Sequence, residues 1–193
     1  FYMCWNAVYA LLMLLSTLVT YCCGLGLARI NQSSADEQRL LLRRRLVLWT
    51  SLGINLAILF FFKYFNFAID SLNALLLPLG FQLHHPAFEV LLPVGISFYT
   101  FQALGYTIDV YRGEIAAEKD FFRYALFVSF FPQLVAGPIE RSKNLLSQLA
   151  VPHRASFDNL REGFLLMLWG FFLKIVIADR AAILVDTVYS PAY

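Results

Sequence analysis

No charged residue precedes Arg29, and the uncharged run from Ala7 to Ala28 is almost wholly apolar. A helix crosses a hydrocarbon core with about 20 such residues, so this stretch alone commits the chain to lipid. Two more runs of that length follow. Leu46 to Ile69 is interrupted only by Lys63, and Val90 to Ile108 is bounded by Glu89 and Asp109. Composition agrees, with 60% of the 193 residues hydrophobic, 17% aromatic and only 15% charged. A soluble domain needs about 25% charged residues to cover its surface. Ordinary soluble, disordered and disulfide-framed classes are therefore excluded, and the reading is an all-α, polytopic integral-membrane bundle with the lipid bilayer as its first partner.

The remaining apolar pieces are broken. Ser71 to Phe88 contains Pro78, Gly80 and Pro86, and reads as an interfacial or partly re-entrant piece. Tyr124 to Ile139 contains Pro132, Gly137 and Pro138, which interrupt the backbone ladder. Gly163 to Ala178 is the last strongly apolar helix, and Ser156 is placed to cap its lead-in at Phe157 and Asp158.

Orientation follows from basic residues near the spans. Arg29, Arg39, Arg43, Arg44 and Arg45 put the connection after the first span on the cytoplasmic side. The third span then returns Arg112, Lys119 and Arg123 to that side. A full crossing by Tyr124 to Ile139 would strand Arg141, Lys143, Arg154 and Arg161 outside. A segment that enters and turns back at Pro132 or at Gly137-Pro138 keeps them inside, and irregular backbone at such depth belongs beside a protein-lined cavity. The chain is expected to cross its membrane more than once. The net charge of +2 and the lack of a basic patch interleaved with aromatics argue against a nucleic-acid partner.

Cys4, Cys22 and Cys23 lack metal-ligand spacing and read as packing residues; no metal is expected. The unusual polar residues lie in two stretches. LPVGISFYTFQALGYTIDVYRGE, from Leu92 to Glu114, carries one helical stripe of Ser97, Thr100, Thr107 and Tyr111, and another of Tyr99, Gln102, Tyr106 and Asp109. Polar groups in lipid need partners, so both stripes should face other helices or water. Asp109 and Arg112, one turn apart, form either an interfacial ion pair that seats the helix end or the mouth of a substrate path. SFFPQLVAGPIERSK, from Ser129 to Lys143, puts Gln133 just after Pro132 and follows the Gly137-Pro138 turn with Glu140 and Arg141. It is either a tight turn with a charged rim or part of a binding site.

These two stretches, with FLLMLWGFFLKIVIADRAAILVDTVY and its W-G-x-x-x-K-x-x-x-A-D-R pattern, resemble the membrane-bound O-acyltransferase family. The likeness runs from about Tyr64 to Tyr193, to the bacterial branch that modifies alginate and teichoic acids. It implies a polytopic enzyme that takes an acyl group from a donor or acyl-carrier protein on the cytoplasmic side. The group passes through a narrow passage to a hydroxyl of an exported polysaccharide such as alginate, with extracytoplasmic polysaccharide-modifying proteins as partners. No bound cofactor is implied beyond the acyl donor. The family's essential His is expected downstream of Tyr193, since His84, His85 and His153 do not stand in its motif. Residues 1–193 are therefore read as the N-terminal part of one transmembrane domain, inactive alone. Tyr99, Gln102, Tyr106, Asp109, Arg112, Gln133, Glu140 and Arg141 are the candidate channel residues. Gln133 or Tyr106 would polarise the acyl carbonyl. A transporter with a site built from broken helices is the alternative.

Overall fold

The structure is a computed structural model that describes residues 7–33, 36–77, 93, 95–152, 154 and 156–189. The described residues are helices and their connections, with no strand among them. His84, His85 and His153, the breakers Pro78, Gly80 and Pro86, and Cys4 lie outside them. The chain forms two compact units, Phe1–Val151 and Pro152–Tyr193.

In the first unit, α1 (Ala7–Asn31) and α2 (Glu37–Leu76) are each long and apolar enough to cross a membrane. They pack antiparallel, with Ser16 against Asn55 midway along and Gly26 facing Val47 toward the end that carries Arg29. At 1.5 Å per residue, the 40 residues of α2 extend about 60 Å, roughly twice the hydrocarbon thickness. The excess corrects two expectations. Arg39, Arg43, Arg44 and Arg45 lie in the first turns of α2 rather than in a connection, because the run of Gln, Leu and Arg around them is made of strong helix formers. The helix also takes in Ser71 to Leu76, the start of the piece expected to be broken.

The third apolar run is shorter than its sequence suggested. Helix α3 (Ile96–Arg112) has 17 residues, starts beyond Val90 and extends past Ile108 to include Asp109. Gly95, at φ 74°, precedes it, and Gly113, at φ 76°, closes it. The amide of Glu114 reaches back to the carbonyl of Asp109 at 2.9 Å, the bond that ends a helix on a left-handed glycine.

The three helices share a core through which a polar thread runs. Thr107 of α3 meets Ser51 of α2 at 3.2 Å, Asn55 donates to the Ser51 carbonyl at 2.9 Å, and Ser16 of α1 donates to Asn55. Tyr124 donates to Thr20 at 2.7 Å, tying α4 (Phe121–Val128) to the same wall of α1. Lipid tails are as apolar as the side chains themselves, so close packing and bonds of this kind set the register between helices. Helices α5 (Phe131–Ala136) and α6 (Ser142–Leu149) follow among the described residues of this unit.

The second unit is a helical rod. Helix α7 (Phe157–Phe172) begins at Ser156, whose hydroxyl accepts from the amide of Asn159 at 3.2 Å. The rod continues through a π-helical turn, Leu173–Ala178, into α8 (Asp179–Tyr189). Apolar side chains such as Phe164, Trp169 and Ile175 stand exposed along it. The π turn brings Lys174 onto Asp179, five residues on, as an ion pair.

Candidate site: a helical hairpin and its charged mouth

Residues 118–142 run along α3 and come back. Near the C-terminal end of α3, the amide of Glu118 donates to the Tyr106 hydroxyl at 2.9 Å and the Tyr124 ring packs 4.4 Å from that of Tyr106. One turn higher, Gln102 Nε2 donates to the carbonyl of Phe127 at 2.8 Å. At the far end, the carbonyl of Leu134 lies against Gly95, where a Cβ would stand 2.6 Å from it. The return leg brings Ser142 back to Asp109, its hydroxyl donating to the carboxylate. Gly95 to Asp109 is about 20 Å of helix, so the hairpin turns back within less than the roughly 30 Å needed to cross.

The local sequence explains the turn. Helix α4 ends at Val128 and α5 starts two residues past Ser129, so the break precedes Pro132 rather than falling on it. Pro132 sits in the first turn of α5, where no amide hydrogen is required. Gly137 ends α5, and a Cβ there would stand 2.7 Å from the Pro132 carbonyl. Neither α4 nor α5 is long enough to cross alone.

Where the hairpin returns, a cavity of about 200 Å³ opens, lined by Gln102, Asp109, Arg112, Glu140 and Arg141 together with Ser142. Two separate sequence stretches thus meet in one place. The ion pair considered between Asp109 and Arg112 does not form. The turn at Gly113 carries Glu114 to Arg112 at 3.7 Å, while half-buried Asp109 is taken by Ser142. Glu140 accepts from the Asn144 amide at 2.7 Å. Carboxylates from Asp109, Glu114 and Glu140 face the guanidinium groups of Arg112 and Arg141, a mixed rim suited to a polar ligand rather than to one sign of charge.

The other candidates lie elsewhere. Tyr99 and Tyr106 are fully buried in the helix interfaces, and Tyr106 rests on Gly24, where a Cβ would come within 2.8 Å of the phenol. Tyr106 therefore anchors α3 to α1 and to residue 118; it does not reach the cavity to polarise a carbonyl. Gln133 sits at the hairpin tip, buried, with its Oε1 lacking any partner among the described residues. Arg44 was read only as an orienting charge, yet it donates to the Tyr111 carbonyl and lies 5.1 Å over the Tyr111 ring, holding the end of α3. Ser142, also missed, is the first residue of α6, one past the N-cap position at Arg141, and its hydroxyl serves Asp109 rather than the helix end.

Comparison with known proteins follows the same lines. The chain is 39% identical over 189 residues to the probable alginate O-acetylase AlgI of Pseudomonas putida, covering 96% of this chain and 36% of that protein. It is 38% identical over 192 residues to its counterpart in Pseudomonas aeruginosa, covering 96% and 34%. The peptidoglycan O-acetyltransferase of Helicobacter pylori is 30% identical over 214 residues, covering 96% of this chain and 38% of that protein. No family model and no solved structure matches. The chain spans about a third of the length of these relatives. The hairpin and its charged mouth are built from the two stretches that carry the resemblance, and over 96% of its length the chain is similar to proteins named as probable alginate O-acetylases.

Proposed function

We propose that the protein is a multi-pass inner-membrane O-acetyltransferase that passes an acetyl group to a hydroxyl of an exported polysaccharide, alginate being the first candidate. The observation that carries this reading is the match of 96% of the chain to several proteins named for alginate O-acetylation and one named for peptidoglycan O-acetylation. The relatives are named as transferases, and nothing favours the transporter reading.

The geometry supports a division of roles. Arg29, the first turns of α2, Arg112 and Arg141 gather at one end, which suits the cytoplasmic face. The charged mouth then faces the side where an acyl donor or acyl-carrier protein resides. Extracytoplasmic proteins would receive or present the glycan. The hairpin supplies wall and orientation rather than chemistry.

The test is complementation. The full-length protein is expressed in an alginate-producing bacterium from which the corresponding gene has been removed, and ester-linked acetate on the exported polymer is measured by NMR. Restored acetyl esters support the proposal; an unmodified polymer from cells with the protein in their membranes refutes it.

A further inference from the structure

Between α1 and α2, toward the basic end, lies an open groove of about 250 Å³ lined by Cys22, Cys23, Gly26, Leu46, Val47 and Thr50. The only hydroxyl in it is already used, since Thr50 donates to the Leu46 carbonyl at 2.8 Å. The groove exists because Gly26 has no side chain; a Cβ there would meet only Val47, at an ordinary 3.9 Å.

Helical spacing continues this groove onto charge. Cys22, Gly26 and Arg29 fall at i, i+4 and i+7 on α1, while Arg43, Leu46, Val47 and Thr50 fall at i, i+3, i+4 and i+7 on α2. Arg29 and Arg43 are therefore set one turn outward on the two walls of the groove. Both are exposed, and neither has an ion pair or side-chain hydrogen bond among the described residues. Arg44, their neighbour, is committed to Tyr111.

We propose that this groove binds an anionic phospholipid. One acyl chain lies along Gly26, Leu46 and Val47, and the phosphodiester sits between the guanidinium groups of Arg29 and Arg43. Two lines favour a lipid over another protein segment. The groove is flanked by the two helices that are long and apolar enough to span a membrane, and Gly26, Leu46 and Val47 give it an apolar wall of the kind an acyl chain packs on. Its charged end offers two uncommitted guanidinium groups, whose planar donors match phosphate oxygens, in the region where basic residues meet anionic headgroups. The inference does not depend on the acyl-transfer reading.

Native mass spectrometry of the full-length protein in mild detergent tests it, with phosphatidylglycerol or phosphatidylethanolamine added at equal concentration. The expected result is a phosphatidylglycerol adduct favoured by about tenfold, as two basic contacts allow. Arg29→Gln combined with Arg43→Gln should remove that preference with no change in unfolding temperature. Gly26→Leu, which fills the groove, should remove both adducts. Because the arginine substitutions are on the surface, they carry the test even if Gly26→Leu misfolds. Equal binding of the two lipids by the unaltered protein overturns the proposal, as does a preference that survives the arginine substitutions. A dimer that Gly26→Leu dissolves, in place of a lipid adduct, overturns it too.

Discussion

The Ser142 hydroxyl donates to the Asp109 carboxylate across a gap of 33 residues in sequence, and this bond ties the return leg of the hairpin to the end of α3. Hydrogen bonds to charged acceptors contribute about 1.5–3 kcal/mol, and a half-buried carboxylate left alone keeps its desolvation cost. Ser142→Ala should therefore lower stability by about 1.5 kcal/mol, read as a lower unfolding temperature in detergent. Asp109→Asn keeps an oxygen acceptor for Ser142 and should cost less. If Ser142→Ala unfolds at the temperature of the unaltered protein, the bond is not what holds the return leg to α3.

The tip of the hairpin depends on Gly95. Its φ of 74° disfavours any side chain, and the Leu134 carbonyl would lie 2.6 Å from a Cβ. The left-handed conformation alone costs roughly 1–2 kcal/mol, and the overlap with backbone adds to it. Gly95→Ala should sharply reduce folded protein in the membrane. Gly105, inside α3 with nothing within 4 Å of its Cβ position, is the control; Gly105→Ala should be neutral or stabilising by about 0.5–1 kcal/mol. Equal yields of the two variants would show that α5 does not pack on α3 as described.

How far the sequence showed this site depends on how local each signal is. The runs that became α1 and α2 are legible because more than 20 apolar residues with at most one charge among them have few other causes. Ser156 was legible as a cap because its partner, Asn159, lies within one turn. The extension of α2 through Arg39 to Arg45 was not, because charge was taken as a sign of a connection where helix propensity ruled. The turning back of residues 124–139 followed from charge bookkeeping, but its anchors did not. Leu134 meets Gly95 and Ser142 meets Asp109 through contacts distant in sequence, which no helical period encodes. The same limit misplaced Tyr106: its position on the polar stripe was right, but that stripe turns into a helix interface at Gly24.

Gln133 separates a structural role from a functional one. Its Oε1 is buried with no partner among the described residues, and an unsatisfied buried acceptor costs about 1–3 kcal/mol. Replacement by an apolar residue of similar size removes that cost. Gln133→Met should leave the unfolding temperature unchanged or raise it. A clear fall would show that the amide is satisfied in the full-length protein and is part of its packing.

The π-helical turn makes a prediction that an ordinary helix would not. Residues five apart lie on different faces of an α-helix with 3.6 residues per turn, yet Lys174 and Asp179 pair because the turn is wider there. Exchanging the two charges, Lys174→Asp with Asp179→Lys, keeps the pair and should keep the protein in the membrane at normal levels. Either substitution alone places two like charges on one side of an otherwise apolar rod and should lower those levels, since unpaired charge among apolar surroundings is costly. Quantitative blotting of membrane fractions reads the comparison. If the exchange is as damaging as the single changes, the two residues act separately and the π turn does not serve to join them; if it restores the level, the i, i+5 pairing is the reason the rod departs from α-helical geometry.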